Sequence, residues 1–284
     1  MKERIGFRQF LGLYALYARN DLAWLLRDTR VALMAIIADA FSTAAGVSGV
    51  FLLAWRFDGI GGMGRAEVLL MLAYVVCVDG LFVLFFGNCN TGNISRRIGR
   101  GQVDHMMIQP LPYGVQLVTE GFIPFTGCQR LLCGIGLIAW AVHGMGITTG
   151  PFWWLVLAAY LFASLAISLG LGYLFSAAAF WKPVACEEIS SAVTDNLMGA
   201  LPNYPLAGMP VPVQLVLITV VPSGLLGWFP VCALLGKPPL GLSSFYPFIV
   251  ALVIWSLALF ILRRGLRYYV EHGSNRYKAM GHRS

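Results

Sequence analysis

Five long stretches of nearly uninterrupted apolar residues constrain the fold of this chain more than any other feature. They cover residues 31–55, 68–87, 122–142, 152–180 and 245–262. A helix of roughly 20 such residues crosses the 30 Å hydrocarbon layer of a bilayer. At membrane depth every backbone amide and carbonyl must bond within the protein, and a helix satisfies its own. The sequence therefore predicts an all-α membrane protein.

The composition excludes most other classes of protein. Of 284 residues, 58% are hydrophobic and 12% are charged, whereas a soluble domain has about 25% charged residues. The net charge of +7 does not indicate nucleic-acid binding, because the basic residues flank apolar runs and form no stripe with aromatic residues. The six cysteines lack C-x-x-C spacing and the four histidines are scattered, so we expect no disulfide and no metal site.

Residues 7–28 precede the first apolar stretch and carry aromatic and aliphatic side chains near helical spacing, with arginines between them. This pattern is typical of an amphipathic helix that lies in the membrane interface, although a simple inward extension of the first span is also open. We expect no cleavable signal peptide, because the first residues run directly into this aromatic and basic stretch.

Residues 184–236 are the ambiguous part of the chain. Residues 184–204 are polar for a span, whereas residues 209–235 are apolar but broken by Pro222. We interpret the first as a fifth span facing protein or water. The second is interpreted as a re-entrant pair of helices that enters from the outside, because such breaks are tolerated where protein covers the backbone. With the two reversed, one span still lies in this region, so six transmembrane helices are expected.

The distribution of Lys and Arg predicts the orientation. In the six-span arrangement, the loops on one side carry only Arg56, Arg65 and Lys237, and those on the other side carry the remaining basic residues apart from Arg130. The positive-inside rule then places both termini, the loop 88–114 and the tail 263–284 in the cytoplasm.

The sequence contains no nucleotide-binding loop. A P-loop reads G-x-x-x-x-G-K-[ST], with amides that cradle phosphates and a lysine that reaches the terminal ones. Lys182 and Lys237 are each followed by proline, without that glycine pattern. G-x-S-x-G is absent too, so we expect no catalytic role for the chain. If ATP drives this protein, another chain binds the ATP.

In the loop between the second and third spans, the residue spacing predicts a short helix at 94–109 with an apolar face and a basic face. The two faces are formed by Ile94, Ile98 and Val103 and by Arg96, Arg97 and Arg100. Pro110 and Pro112 end the helix and turn the chain. On these residues alone, a charged loop that merely fixes the topology is an equal alternative.

A motif in this loop carries a resemblance to a known family. It reads I-x-x-G-x-[VL]-D-x-x-[ML]-x-x-P and is formed by Ile98, Gly101, Val103, Asp104, Met107 and Pro110. Together with the amphipathic N-terminal helix, the six spans and the proline-rich turn after the fifth, it resembles the ABC-2 type permeases of ATP-binding cassette exporters, in particular a subgroup with members in multidrug efflux. The resemblance covers nearly the whole chain, and the loop motif is its specific part.

The resemblance implies that the 94–109 helix is a cytoplasmic coupling helix, which docks into a groove on the ATPase. The residues implied in this docking are Arg96, Arg97, Ile98, Arg100, Gly101, Val103, Asp104, His105 and Pro110. The arginines would meet acidic groups of the ATPase, and Asp104 would cap or orient the next turn. Val103 stands where leucine is expected, and His105 adds a titratable group. The resemblance also implies that 7–28 is a connecting helix and that 209–235 forms extracellular re-entrant helices.

The implied partners are two copies of a cytoplasmic ATPase that bind ATP and Mg²⁺, a second permease that is identical or homologous, and the lipids of a bacterial inner membrane. The implied function is that of the permease subunit of an ATP-driven exporter, with an amphipathic substrate such as a drug, lipid or glycolipid. Two alternatives remain open, a self-sufficient secondary transporter or channel that uses buried aspartates and a membrane scaffold or sensor.

Four ionisable residues lie inside predicted spans, namely Asp39, Asp79, Arg130 and Asp195. Each costs about 2.5 to 3.5 kcal/mol at the centre of a helix, so each is expected to find a partner. We favour structural pairing for Arg130, with Asp79 or Asp195. For the fifth span we favour a substrate pathway along the dimer axis, lined by Thr194, Asp195, Asn196 and Asn203.

Overall fold

The computed structural model describes residues 6–87, 97–98, 102–182, 186 and 198–273, which are mainly helical and contain no β-strand. In chain order the helices are α1 (Phe7–Arg27), α2 (Thr29–Arg56), α3 (Arg65–Phe86), α4 (Gln102–Ile108), α5 (Tyr113–Thr119), α6 (Cys128–Met145), α7 (Pro151–Ala177), α8 (Val211–Thr219), α9 (Trp228–Leu234) and α10 (Tyr246–His272). Five of these, α2, α3, α6, α7 and α10, are long and apolar enough to cross a membrane.

The predicted fifth span at 184–204 lies largely outside the described residues, so the total of six spans stays a prediction. Residues 198–203 are described and form a helical turn, Met198–Ala200, followed by a 3-10 turn, Leu201–Asn203. Between α1 and α2, Asp28 leaves the helical conformation with φ −133° and ψ 59°, so α1 is a separate helix and not a straight extension of α2.

Two helix boundaries differ from the sequence prediction. α6 begins at Cys128 and not at 122, because the preceding residues form a turn on the end of α3, where the Ile123 amide donates to the Leu84 carbonyl at 2.9 Å. α10 runs to His272 and not to 262, because its last turns still have protein to pack against. A Cβ at Gly265 would meet the Phe180 ring at 2.5 Å, and Tyr269 is 3% exposed.

α3 lies at the centre of the bundle. In its most apolar stretch 61% of the residues are buried, against 6% for α2, most of whose surface is exposed. α3 and α6 come into backbone contact through glycines, as small residues allow in membrane helices. A Cβ at Gly134 of α6 would lie 2.6 Å from the Cys77 Sγ and 2.8 Å from its amide nitrogen, and a Cβ at Gly80 of α3 would collide with the Leu131 backbone.

We call the end of the bundle that holds α1, α4, α5 and the last turns of α10 the basic end, and the opposite end, which holds α8 and α9, the far end. At the far end α8 and α9 are separated by a 3-10 turn, Pro222–Leu226. The Ser164 hydroxyl of α7 donates to the Leu225 carbonyl at 2.8 Å, and Tyr74 of α3 bonds to the same hydroxyl at 2.7 Å. Side chains of two long helices therefore satisfy a backbone carbonyl of the break, as its burial requires.

We predict that Gly134→Ala destabilises the protein by about 1–3 kcal/mol, the usual cost of forcing extra atoms into a packed interior. The added methyl would meet backbone of α3, which cannot rotate away. Thermal unfolding of the detergent-solubilised protein measures the change. Gly136→Ala is the matched control, because no atom lies within 4 Å of its added Cβ. Equal midpoints for the two variants would contradict the close α3–α6 contact.

Candidate functional site

The segment between α3 and α6 folds back on itself at the basic end. We call residues 97–98 and 102–126 the loop module. The Gln116 side chain of α5 is buried, and its amide nitrogen donates to the Met106 and Leu111 carbonyls, both at 2.9 Å. One side chain thus joins α4, the proline turn and α5, so the three parts are held in a fixed arrangement.

Arg97 points into the loop module. Its side chain is 7% exposed, and Nη1 donates to the Glu120 carboxylate at 2.7 Å and to the Met106 sulfur at 3.3 Å. From the sequence, Arg97 was expected to bind acidic groups of an ATPase. In the structure its guanidinium pairs with Glu120 of the same chain. The guanidinium is buried whereas the Glu120 side chain is 35% exposed, and removing a partner of a buried charge is destabilising, so this contact helps to hold the module together.

Tyr113 lies beside the Arg97–Glu120 pair. Burial raises the pKa of Tyr113 to about 12, with Arg97 acting to lower it and Glu120 to raise it. The phenol is therefore neutral at physiological pH, and the ion pair has an uncharged neighbour.

A buried carboxylate attaches α1 to the loop module. Asp21 is 7% exposed, and its Oδ2 accepts from the Phe125 and Thr126 amides at 2.7 and 3.1 Å. Its Oδ1 accepts from the Thr126 hydroxyl at 2.6 Å. These groups lie immediately before the first turn of α6, where the helix dipole favours a negative charge. Asp21 therefore clamps α1 to the start of α6.

Tyr14 makes a second contact between α1 and the loop module. Its hydroxyl donates to the Val118 carbonyl at 3.4 Å, and its ring packs edge-on against Phe122 with centroids 4.9 Å apart. Burial raises the pKa of Tyr14, so its hydroxyl keeps the proton that it donates.

The last helix contacts the loop module from the other side. The Tyr269 hydroxyl of α10 donates to the Asp104 carboxylate of α4 at 2.8 Å, and the Tyr269 ring packs edge-on against Phe180. Asp104 was expected to cap or orient the next turn, and here it accepts a bond from another helix. Ile98 and Val103 are fully buried beneath this contact.

One face of α4 is left open to solvent. Gln102, His105 and Ile108 are exposed, and Ile108 is 80% exposed. Pro110 is exposed just beyond the helix. Arg96, Arg100 and Gly101 lie outside the described residues, so their expected roles stay predictions.

A second polar group lies inside the spanning helices near the basic end. Nε of Arg130 on α6 donates to both oxygens of Asp39 on α2, at 2.9 and 2.8 Å, and its Nη1 bonds to Asp79 on α3. The Gln129 amide also donates to Asp39 at 2.9 Å. From the sequence, Arg130 was expected to pair with Asp79 or Asp195. In the structure it bonds to Asp79 and also to Asp39.

The pathway expected along the fifth span stays a prediction, because the described part of the chain includes only one of its four polar residues. Thr194, Asp195 and Asn196 lie outside it, and Asn203 lies in a 3-10 turn where its side-chain amide donates to the Gly199 carbonyl at 3.4 Å. No group of three His, Cys, Asp or Glu side chains in the described ranges is arranged to hold a metal ion.

Several residues of this site were missed from the sequence, among them Asp21, Gln116, Glu120 and Tyr269. A usable signal existed for Asp21, which is a carboxylate in a helix expected to lie among basic and apolar side chains. Such a group needs a donor partner when it is buried.

We predict that Asp21→Asn weakens the attachment of α1 and lowers the unfolding free energy by about 2 kcal/mol, because hydrogen bonds to a charged acceptor are stronger than neutral ones. Thermal unfolding in detergent and the rate of proteolysis near residue 28 measure the two effects. Asp28→Asn is the matched control, since Asp28 is exposed and its side chain caps neither helix. An unchanged Asp21→Asn protein would contradict the clamp.

Comparison with known proteins adds one finding. The model of a protein family described as ABC-2 family transporter protein matches residues 42–273. No curated protein and no solved structure matches the chain at a significant level.

Proposed function

Because this chain belongs to the ABC-2 transporter family, a family of membrane transport subunits, we propose that it is the permease subunit of an ATP-driven exporter. The sequence contains no P-loop, so in this proposal separate cytoplasmic ATPase subunits, two per complex, bind ATP and Mg²⁺. The membrane is the bacterial inner membrane, with both termini and the basic end in the cytoplasm.

The observation that carries this proposal is the loop module. It presents the exposed face of α4 on one side, and on the other side it is bonded to α1 through Asp21 and to α10 through Tyr269. Its interior is held by the Arg97–Glu120 pair and by Gln116. A part built in this way moves as one piece, so a push on α4 is passed to helices on either side. This is the property that a coupling helix needs.

The docking contact on the ATPase is proposed at His105 and Ile108, with Gln102 and Pro110 at its margins. Ile108 suits an apolar groove, because an aliphatic side chain that is 80% exposed gains free energy when a partner covers it. Arg96 and Arg100 remain the basic residues proposed to meet acidic groups of the ATPase. Arg97 acts from within the module instead, since Glu120 already neutralises it.

A second permease, identical or homologous, completes the pathway in this proposal. Six helices from one chain rarely enclose a conduit for a large substrate, whereas twelve can. α2 supports this arrangement, because only 6% of its most apolar stretch is buried within the chain. On ATP binding the ATPases close, α4 follows, and the fifth spans with Thr194, Asp195, Asn196 and Asn203 part for an amphipathic substrate.

We predict that Ile108→Glu abolishes or strongly reduces co-purification of the ATPase, because a buried carboxylate without a partner opposes docking. The tagged chain is purified in gentle detergent, and the ATPase is measured by mass spectrometry and by ATP hydrolysis. Val270→Glu is the matched control, since Val270 is an aliphatic residue near the same end of the bundle and is 69% exposed. Equal ATPase recovery from both variants would contradict docking at α4.

The rival function is that of a self-sufficient secondary transporter, favoured by Asp39 and Asp79 within the spans. It predicts transport without any ATPase and collapse of transport when a protonophore is added to proteoliposomes. The exporter predicts transport that requires ATP and the ATPase and that continues when the proton gradient is removed. One reconstitution assay with these two additions distinguishes them.

A further inference from the structure

A cleft of about 290 Å³ opens between α2, α3 and α6. On α2 it is lined by a single stripe at helical spacing, from Ala40 to Phe51, and on α6 by a matching stripe from Gln129 to Trp140. Each stripe covers 11 residue steps, or about 16 Å at 1.5 Å per residue. This length is close to the thickness of one leaflet of hydrocarbon, about 15 Å.

The two ends of the cleft differ in chemistry. Arg130 and Gln129 line the end near the first turn of α6, at the basic end of the bundle. Phe51 and Trp140 line the opposite end, with ring centroids 6.2 Å apart. The walls between them are mainly apolar. A molecule that fits would therefore have one polar head and an apolar body.

The charges at the polar end favour one kind of head. Arg130 supplies one positive charge and bonds to two carboxylates, those of Asp39 and Asp79, so the group has one negative charge in excess. An uncompensated charge at membrane depth is costly. An anionic head would add a second unmatched negative charge and a neutral head would leave the first, whereas a monovalent cation brings the sum to zero.

Asp79 does not itself line the cleft, but it is the more exposed of the two carboxylates beside the polar end. Asp39 accepts bonds from both Arg130 and Gln129, and its side chain is 21% exposed. The Asp79 side chain is 50% exposed, and its one hydrogen bond within the described residues comes from Arg130. A carboxylate has room for further donors. Asp79 also lies three residues, or one helical turn, beyond Val76, which lines the cleft.

We propose that the cleft binds an amphipathic monocation, with an alkyl or aryl body along α2 and α6 and an ammonium head at Asp79. This inference rests on the proposed function for its biological meaning, where it makes the cleft a site at which a cationic amphiphile from one leaflet meets the permease. The site itself is defined by the cleft and its charges, and it can be tested without ATP.

The test measures equilibrium binding of radiolabelled dodecyltrimethylammonium to the full chain, with the subunits it retains, in phosphatidylcholine nanodiscs. Empty nanodiscs correct for partition into lipid. We expect saturable binding of the cation, with little competition from dodecanol or dodecanoate at equal concentration. Asp79→Asn should lower the affinity for the cation about tenfold or more, as the loss of a charged contact does.

Two variants on α2 keep the test decisive if Asp79→Asn fails to fold. Ala44 lines the cleft and Ala45 does not, and both are exposed. Ala44→Trp should fill the cleft and remove saturable binding, whereas Ala45→Trp should bind as the wild type does.

Several outcomes would overturn the proposal. Equal competition by dodecanol would mean that the cleft holds any apolar chain, and preferred binding of dodecanoate would mean an anionic lipid site. Unchanged affinity in a folded Asp79→Asn protein, or in Ala44→Trp, would reject the site itself. Because binding is scored without ATP, it can fail while the ATPase still co-purifies, and Ile108→Glu can lose the ATPase while binding persists.

Discussion

The close contact between α3 and α6 is the constraint on which the rest of the structure depends. Gly80 and Gly134 let two backbones meet, and larger side chains at these positions would separate the helices. The contact brings Arg130 beside Asp79, and Arg130 in turn holds α2 through Asp39. The end of α3 and the start of α6 are then fixed relative to each other, so the loop module between them closes on a defined base.

Polar groups at membrane depth are satisfied by side chains from several helices. Ser164 and Tyr74 bond to each other, and Ser164 bonds to the backbone of the break at the far end. Near the basic end the charged groups are satisfied in the same way, because Arg130 bonds to both Asp39 and Asp79. Each arrangement joins elements that are distant in the sequence, so satisfying polar groups also specifies which helices pack together.

The spanning helices could be predicted from the sequence because hydropathy is a local property. α3 and α7 each begin within three residues of the predicted start. α7 and the 3-10 turn after it end at Phe180, which is also the predicted end. The end of α10 was missed, because charged residues after 262 ended the apolar run. Those last turns pack against Phe180 and the loop module. This is a tertiary contact, which local hydropathy does not report.

The contacts of the candidate site were less accessible to sequence reasoning, since their partners are distant or depend on a turn. The basic face of the loop predicted an outward Arg97, but the turn at Pro110 and Pro112 returns Glu120 to it from 23 residues away. Asp39 likewise bonds to Arg130, which lies 91 residues away in the sequence. The amides that bond to Asp21 belong to a turn whose position depends on where α6 begins, a boundary that was itself six residues off.

α10 is one unbroken helix that runs from the far end of the bundle to the basic end. Tyr269 near one tip bonds to the loop module, and Tyr246 at the other tip packs against Phe229 of α9 with ring centroids 5.7 Å apart. The 23 residue steps between them cover about 35 Å. A helix without a proline or glycine break resists bending, and between Tyr246 and Tyr269 these residues occur only near the two tips, as Pro247 and Gly265. Tilting or turning α10 at Asp104 therefore displaces the α8–α9 segment directly, with no relay of side chains through the membrane.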